Sequence, residues 1–238
     1  MITVDNIRIL ATKHQTTELN IRREYVQHLF LSWLYRNPDT TKLCFKGGTA
    51  LRIVYGSPRF SEDLDFSAAL EPRILKRSIL WTLKEIQREG VKTQLLEAKT
   101  TSGGYLAIVS FLINTYQVTI QLEVSARNQS SQSEVITIIS DFIPSYTLVA
   151  LTRQQIVEEK IQALLSRGKP RDYYDLYFML RGNLLSDEQK RQLPTITKKL
   201  QKVHIFFNRE LRLFLPKSHW PVIKNFEQHL YQELTRYT

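Results

Sequence analysis

Between Leu19 and Tyr35 apolar residues recur at Ile21, Tyr25, Leu29 and Phe30 or Trp33, the spacing of one helical face. Asn37-Pro38-Asp39 closes that helix, because the residue before a proline is pushed out of the helical region. Leu43-Cys44-Phe45 is short and wholly apolar, as a buried strand is. Gly47-Gly48 then interrupts the run ahead of a helical stretch that opens at Thr49. Asp63-Leu64-Asp65-Phe66 alternates acid and apolar residues, which predicts a second strand with both carboxylates on one face, their Cα atoms about 6–7 Å apart. Ile74, Leu75, Ile79, Leu83 and Ile86 stripe a helix over Glu71 to Glu89 that Gly90 stops. Strand patterns follow at Val91 to Ala98, Tyr105 to Ile113 and Val118 to Val124, with turns at Ser102-Gly103-Gly104 and Asn114 to Gln117. Two further short strands are expected at Val135 to Ile139 and Tyr146 to Leu151.

From Thr152 the period changes to helical. Thr152-Arg153-Gln154-Gln155 reads as a capping box opening a helix with Ile156, Lys160 and Leu164 in one row. A basic turn, Arg167 to Arg171, leads into a helix over Asp172 to Leu180, where Asp172 and Asp175 share a face. Ser186-x-x-Gln189 caps a helix expected to reach Lys202, and another is expected from Pro221 to Tyr237. All the expected strands therefore fall within residues 1–150, mixed with helices, whereas residues 151–238 read as helical, and the domain boundary is placed between them.

Charge sharpens this division. The net charge is +10 with a pI near 9.7, which favours a polyanionic partner. Residues 1–150 carry 17 Lys/Arg against 14 Asp/Glu, whereas residues 151–238 carry 16 against 9. The shorter, helical part holds most of the excess, and its cations interleave with aromatics: Lys198, Lys199, Lys202, Phe206, Phe207, Arg209, Arg212, Phe214 and Trp220. That mixture suits RNA, with phosphates at the cations and bases stacked on rings; the same phenylalanines also suit a core. Cys44 is the single cysteine, so no internal disulfide forms, as expected of a cytoplasmic protein. No apolar run reaches membrane-spanning length and no signal-peptide pattern is present.

The chemistry concentrates in Lys46 to Ser67. Glycines without Cβ atoms let successive N–H groups form an anion nest, and the start of the following helix adds positive potential, so Gly47 and Gly48 can cradle a phosphate. Asp63 and Asp65, side by side, repel one another unless a divalent cation intervenes, and oxygen-only ligands favour Mg²⁺ or Mn²⁺. Phosphate cradle and acid pair together are the equipment of nucleotidyl or phosphoryl transfer. Ser61, two residues before the first acid, can bond a phosphate oxygen, and Arg59 either forks onto one or pairs with Glu62 or a helix end. Glu123 lies on the polar face of its strand with Thr119 and Gln121 and is the choice for a third carboxylate; Glu97 competes. Lys160, beside an apolar stripe, can reach phosphates as a point charge. Asp172 serves as a helix cap or anchors Arg171, whereas Asp175 has no such local explanation.

KGGTALR, RFSEDLDF and EKIQALLSRGKPRDYYDLYFML together resemble the AbiEii/AbiGii-type nucleotidyltransferase toxins, a branch of the DNA polymerase β-like nucleotidyltransferases. The resemblance spans most of residues 43 to 180. It implies a minimal nucleotidyltransferase fold, an NTP donor with a divalent metal, and a toxin encoded beside an antitoxin; some relatives add nucleotides to tRNA 3′ ends. Lys46 matches the residue that often precedes the glycines in that family, facing either phosphate or solvent, and the resemblance implies an active-site role for Ser61 and Asp175, the last orienting Lys160, ribose or base. At the position of Glu123 the family usually has Asp, a departure that bears on the metal geometry.

The expectation is thus an α+β protein, with a mixed-sheet nucleotidyltransferase core at residues 1–150 and a basic helical domain at 151–238. Asp63, Asp65, Glu123 and Asp175 would serve catalysis, the first three as metal ligands. Lys46, Gly47, Gly48, Ser61 and Lys160 would bind the nucleotide. The reaction would pass NMP to an acceptor hydroxyl, an RNA or tRNA 3′ end. A kinase-like phosphotransferase acting on protein and an inactive RNA- or partner-binding protein are the alternatives.

Overall fold

The computed structural model describes residues 1–126, 132–201 and 206–237. Their contacts divide into two compact units: Met1–Gly56 with Phe60–Leu151, and Ser57–Arg59 with Thr152–Thr238.

The first unit opens with α1 (Val4–Lys13) and α2 (Glu18–Leu34), capped by the hydroxyls of Thr3 and Thr17. The sequence reading missed α1, whose buried stripe is only Ile7, Leu10 and Ala11. Strand β1 (Cys44–Lys46) runs directly into α3 (Gly47–Tyr55), which ends on Gly56 in the left-handed conformation. Next come β2 (Leu64–Ala68), α4 (Pro72–Arg88), β3 (Lys92–Thr101), β4 (Gly104–Ile113), β5 (Tyr116–Ala126), β6 (Ser133–Ile138) and β7 (Tyr146–Leu151). The seven strands form one mixed sheet in the order β3-β4-β5-β2-β1-β7-β6. β2 is antiparallel to β1 and parallel to β5, so the two strands at the centre lead into Gly47-Gly48 and carry Asp65; the strand expected from Asp63 begins at Leu64, which leaves Asp63 just before it. On β5, Val118, Ile120, Leu122 and Val124 are buried, while Thr119 and Glu123 on the other face are exposed. Helix α2 packs on β5 and β7, and α4 on β3. This alternation is what a sheet with one covered face requires.

The second unit is helical. It comprises α5 (Arg153–Ser166), α6 (Pro170–Arg181), α7 (Asp187–Lys190), α8 (Leu193–Leu200), α9 (Phe207–Phe214), α10 (Trp220–Lys224) and α11 (Phe226–Thr235). Its centre is aromatic: Tyr174 stacks on Phe226 at 5.7 Å, and Phe207 meets Phe226 edge-on at 4.8 Å. Helix α5 starts at the expected place, but the Thr152 hydroxyl makes no cap bond. The capping box of Ser186 and Gln189 is present, yet the helix it opens stops at Lys190. Pro194 restarts the chain as the first turn of α8, since proline tolerates that position and not a helix interior. Lys202, to which the pattern extended the helix, lies outside the described residues. The last helix expected from Pro221 is likewise two, broken at Asn225, and α9 was not foreseen.

Candidate active site

Lys46 pairs with Asp65 across β1 and β2, and Asp65 pairs with Glu123 across β2 and β5. Residues paired on neighbouring strands point to the same face about 4.8 Å apart, so these three form one row, with Asp63 immediately before β2. The Lys46 amine is buried and donates to Ser125 Oγ at 3.3 Å.

Gly47 sits against this row. Its φ is +83°, and a β-carbon there would fall 2.7 Å from Asp65 Cγ, closer than real side chains approach. Only glycine meets both conditions, which is why the chain can turn from β1 into α3 directly over the Asp65 carboxylate. Lys46, in the cap position, gives α3 no side-chain cap, so the first-turn N–H groups at Gly47 and Gly48 are not bonded by it.

The segment before β2 is held from two helices. Thr49 Oγ1 donates to the Asp63 carbonyl oxygen, and Gln27 Nε2 donates to the carbonyls of Ser61 at 2.9 Å and Glu62 at 3.1 Å. Glu62 itself pairs with Arg23 at 3.0 Å, not with Arg59. Arg52 forks onto Glu24 at 2.7 and 2.9 Å and covers the Phe60 ring. Gln27 and Glu24 were not anticipated as supports, because their partners lie far along the chain.

Glu123 is exposed, and its Oε1 accepts from Gln121 Nε2. Glu97 shares the face but not the neighbourhood: β3 lies three strands from β2, about 14 Å away at normal spacing, and Glu97 pairs with Lys99 at 2.6 Å. Among the described residues no three of His, Cys, Asp or Glu are gathered closely enough to hold a metal. Asp65 on β2 has Glu123 as its neighbour on β5, and Asp63 immediately precedes β2. That suits Mg²⁺, which usually keeps several waters and takes one or two carboxylates together with substrate phosphates.

Asp175 lies in the helical unit with 0% exposure. Arg59 donates to its two oxygens at 2.8 and 3.0 Å, and Lys160 Nζ donates to Oδ2 at 2.7 Å. Burial alone would push this carboxyl up, but Arg59 and Lys160 outweigh it and hold it below the usual range. The Arg59 guanidinium is disfavoured by the same burial and rescued by Asp175, so it stays charged. Asp172 accepts an Arg167 fork at 2.9 and 2.8 Å and the Lys169 N–H at 3.0 Å. It does not anchor Arg171, which faces Glu210 at 3.8 Å. Burial raises the Cys44 thiol, so it stays protonated and packs as an apolar side chain.

This mixed sheet, with a Gly-Gly turn opening a helix over the acid of the adjacent strand, is that of a nucleotidyltransferase. The family model of the nucleotidyl transferase AbiEii toxins, type IV toxin–antitoxin systems, matches residues 29–233, and the chain belongs to that family. It is therefore a nucleotidyltransferase enzyme of the toxin class, and membership implies an NTP substrate and a cognate antitoxin. The fold is shared with JHP933 from Helicobacter pylori (20% identity, TM-score 0.62, covering 93% of this chain and 95% of that one). It is shared also with the nucleotidyltransferase toxin MenT4 from Mycobacterium tuberculosis (15% identity, TM-score 0.69, 100% and 90% covered). No curated protein matches the chain in sequence. Among the described residues no helix is long and apolar enough to cross a membrane.

Proposed function

We propose that the protein transfers a nucleoside monophosphate from an NTP to the 3′ hydroxyl of an RNA, with tRNA the expected acceptor, in the presence of Mg²⁺ or Mn²⁺. The observation that carries this reading is the close approach of Gly47 to Asp65, which puts a phosphate-binding turn and an acid side by side. Gly47 and Gly48 offer backbone N–H groups to the NTP phosphates, with Lys46 and Ser61 beside them. Asp63 and Asp65 would hold the divalent cation and Glu123 would complete its ligands; when bound, it neutralises charge on the phosphates. The acceptor oxygen attacks the α-phosphorus, the bond from that phosphorus to the bridging oxygen breaks, pyrophosphate leaves, and the hydroxyl proton passes to a carboxylate or water. In the helical unit Lys160 keeps the role expected of a long amine beside an apolar stripe, that of a point charge for phosphate. Asp175 acts by holding Lys160 and Arg59, since both of its oxygens are taken and none of it is exposed.

The test is incubation of the purified protein with total RNA, Mg²⁺ and each α-labelled NTP in turn, beside an Asp63→Ala control. A labelled RNA band that the control lacks is expected, and it names the donor and the acceptor's size. Label entering protein, or entering only from γ-labelled NTP, would replace this reading with phosphoryl transfer.

A further inference from the structure

The helical unit carries a groove of about 1290 Å³ between the end of α8 and helices α9, α10 and α11. Its floor is the buried Leu200, Phe207, Ile223 and Phe226. Its rim leaves apolar side chains in water: Phe206 is 87% exposed, Leu213 66% and Tyr231 43%. Isolated exposed apolar residues are ordinary, but three around one concavity mark a binding surface. Arg209, Arg212 and Lys224 stand on the same rim against one carboxylate, Glu227, and among the described residues no acid pairs with any of the three. The Arg212 guanidinium lies over the Trp220 ring at 4.3 Å, which fixes its position without neutralising it.

We propose that this groove binds a single-stranded segment of RNA, with bases on Phe206 and Tyr231 and phosphates at Arg209, Arg212 and Lys224. The inference rests on the proposed RNA acceptor and assigns it a surface on the helical unit. Charge complementarity selects the occupant: the rim alternates rings with unneutralised cations, and a single strand alternates planar bases with phosphates. Phe206 at the start of α9, Arg209 and Leu213 follow one another at helical spacing, so ring, cation and apolar contact are presented along one edge. A duplex hides its base faces and meets only half of this pattern.

The test is fluorescence anisotropy of a 5′-labelled single-stranded oligoribonucleotide and its duplex, titrated with the full chain carrying Asp63→Ala so that no transfer intervenes. The single strand is expected to bind more tightly than the duplex. Phe206→Ala should weaken it by about fivefold or more, the size of one lost stacking contact. Arg209→Glu should also weaken it and lower the salt dependence by about one phosphate contact. Lys76→Glu, on the exposed face of α4, is the charge control and should bind as the parent does. Equal weakening by Lys76→Glu and Arg209→Glu would reduce the effect to net charge and overturn the site. So would an acidic amphipathic peptide that outcompetes the RNA with the same dependence on Phe206, because the groove would then belong to a protein partner. RNA bound through Phe206 and Arg209 by a chain that never incorporates α-label would keep the groove and remove the transfer reading. Incorporation unchanged in both groove variants, with binding unchanged, would do the reverse.

Discussion

The carboxylate of Asp65 lies so close over Gly47 that a β-carbon at Gly47 would fall 2.7 Å from its Cγ. Gly47→Ala should therefore do two things: strain a backbone held at φ +83°, and drive the acid out of line with Glu123. Displacing a reacting group by about 1 Å costs about 100-fold in rate, and a drop of that size in nucleotide incorporation is expected. Gly56→Ala is the matched comparison, since Gly56 has a φ of +73° but open space around it. It should cost about 1 kcal/mol of stability and leave incorporation near wild type. Equal losses of activity in the two variants would mean that backbone strain alone, and not the Asp65 contact, explains the glycine.

Glu123 and Glu97 separate on the same logic. Glu123 is the β5 neighbour of Asp65, whereas Glu97 stands on the edge strand and pairs with Lys99. Glu123→Gln should lower incorporation by about 100-fold, the range of a lost acid–base group. Its deficit should respond to added Mn²⁺ or Mg²⁺ if it supports a cation. Glu97→Gln should change incorporation little. Comparable kinetics for the two variants would take Glu123 out of the site.

The local parts of this arrangement were legible in the residues. Gly-Gly after an apolar triplet, acids two apart, and alternation along Val118 to Val124 are short-range signals. Their outcomes are β1 running into α3, a β2 that carries Asp65 but begins only after Asp63, and an exposed Glu123 on β5. The rest depends on pairings that no local window contains. Arg59 meets Asp175 across a separation of 116 residues, and nothing around Arg59 distinguishes that partner from the nearby Glu62. The membership of Ser57–Arg59 in the helical unit is likewise invisible before the chain folds. Pro194 and Asn225 were in plain sight, but the apolar spacing runs through both; proline sterics restart the chain at α8, and the backbone leaves the helical region at Asn225, with φ -123° and ψ 41°.

Asp175 should behave as a residue that holds others in place. Removing one member of a buried, paired set costs about 3–5 kcal/mol, because the partners stay buried without compensation. Asp175→Asn is expected to lower Tm at pH 7, with a loss of incorporation that follows the loss of folded protein and of Lys160 placement. Its folded-state carboxyl is held below the usual range, so its contribution is complete above the unfolded value of about 3.9 and disappears as pH falls through the folded one. The gap in Tm between wild type and Asp175→Asn should accordingly narrow in acid. An inactive Asp175→Asn with unchanged Tm and unchanged acid behaviour would instead assign Asp175 to direct substrate contact.

His28 supplies the second acid-sensitive element, this time in the sheet unit. It is buried beside Phe142, and its Nδ1 shares a 2.8 Å hydrogen bond with the Tyr146 hydroxyl. Burial first, and the Arg52 charge second, push its pKa down to about 3 from the ordinary 6.5. The folded chain thus keeps His28 neutral over a range in which the unfolded chain protonates it. The associated stability is fully present above pH 6.5 and is lost progressively as pH falls towards 3. At pH 4.5 the loss from this group is about 2.5 kcal/mol. Urea unfolding at pH 7 and pH 4.5 should show the sheet unit weakening in acid by about that amount more in wild type than in His28→Gln. Gln has no proton to gain, and it can still bond Tyr146, which keeps the comparison one of charge. Parallel acid limbs for the two proteins would show that His28 is not kept neutral in the folded chain, and would place the acid sensitivity with the carboxylates alone.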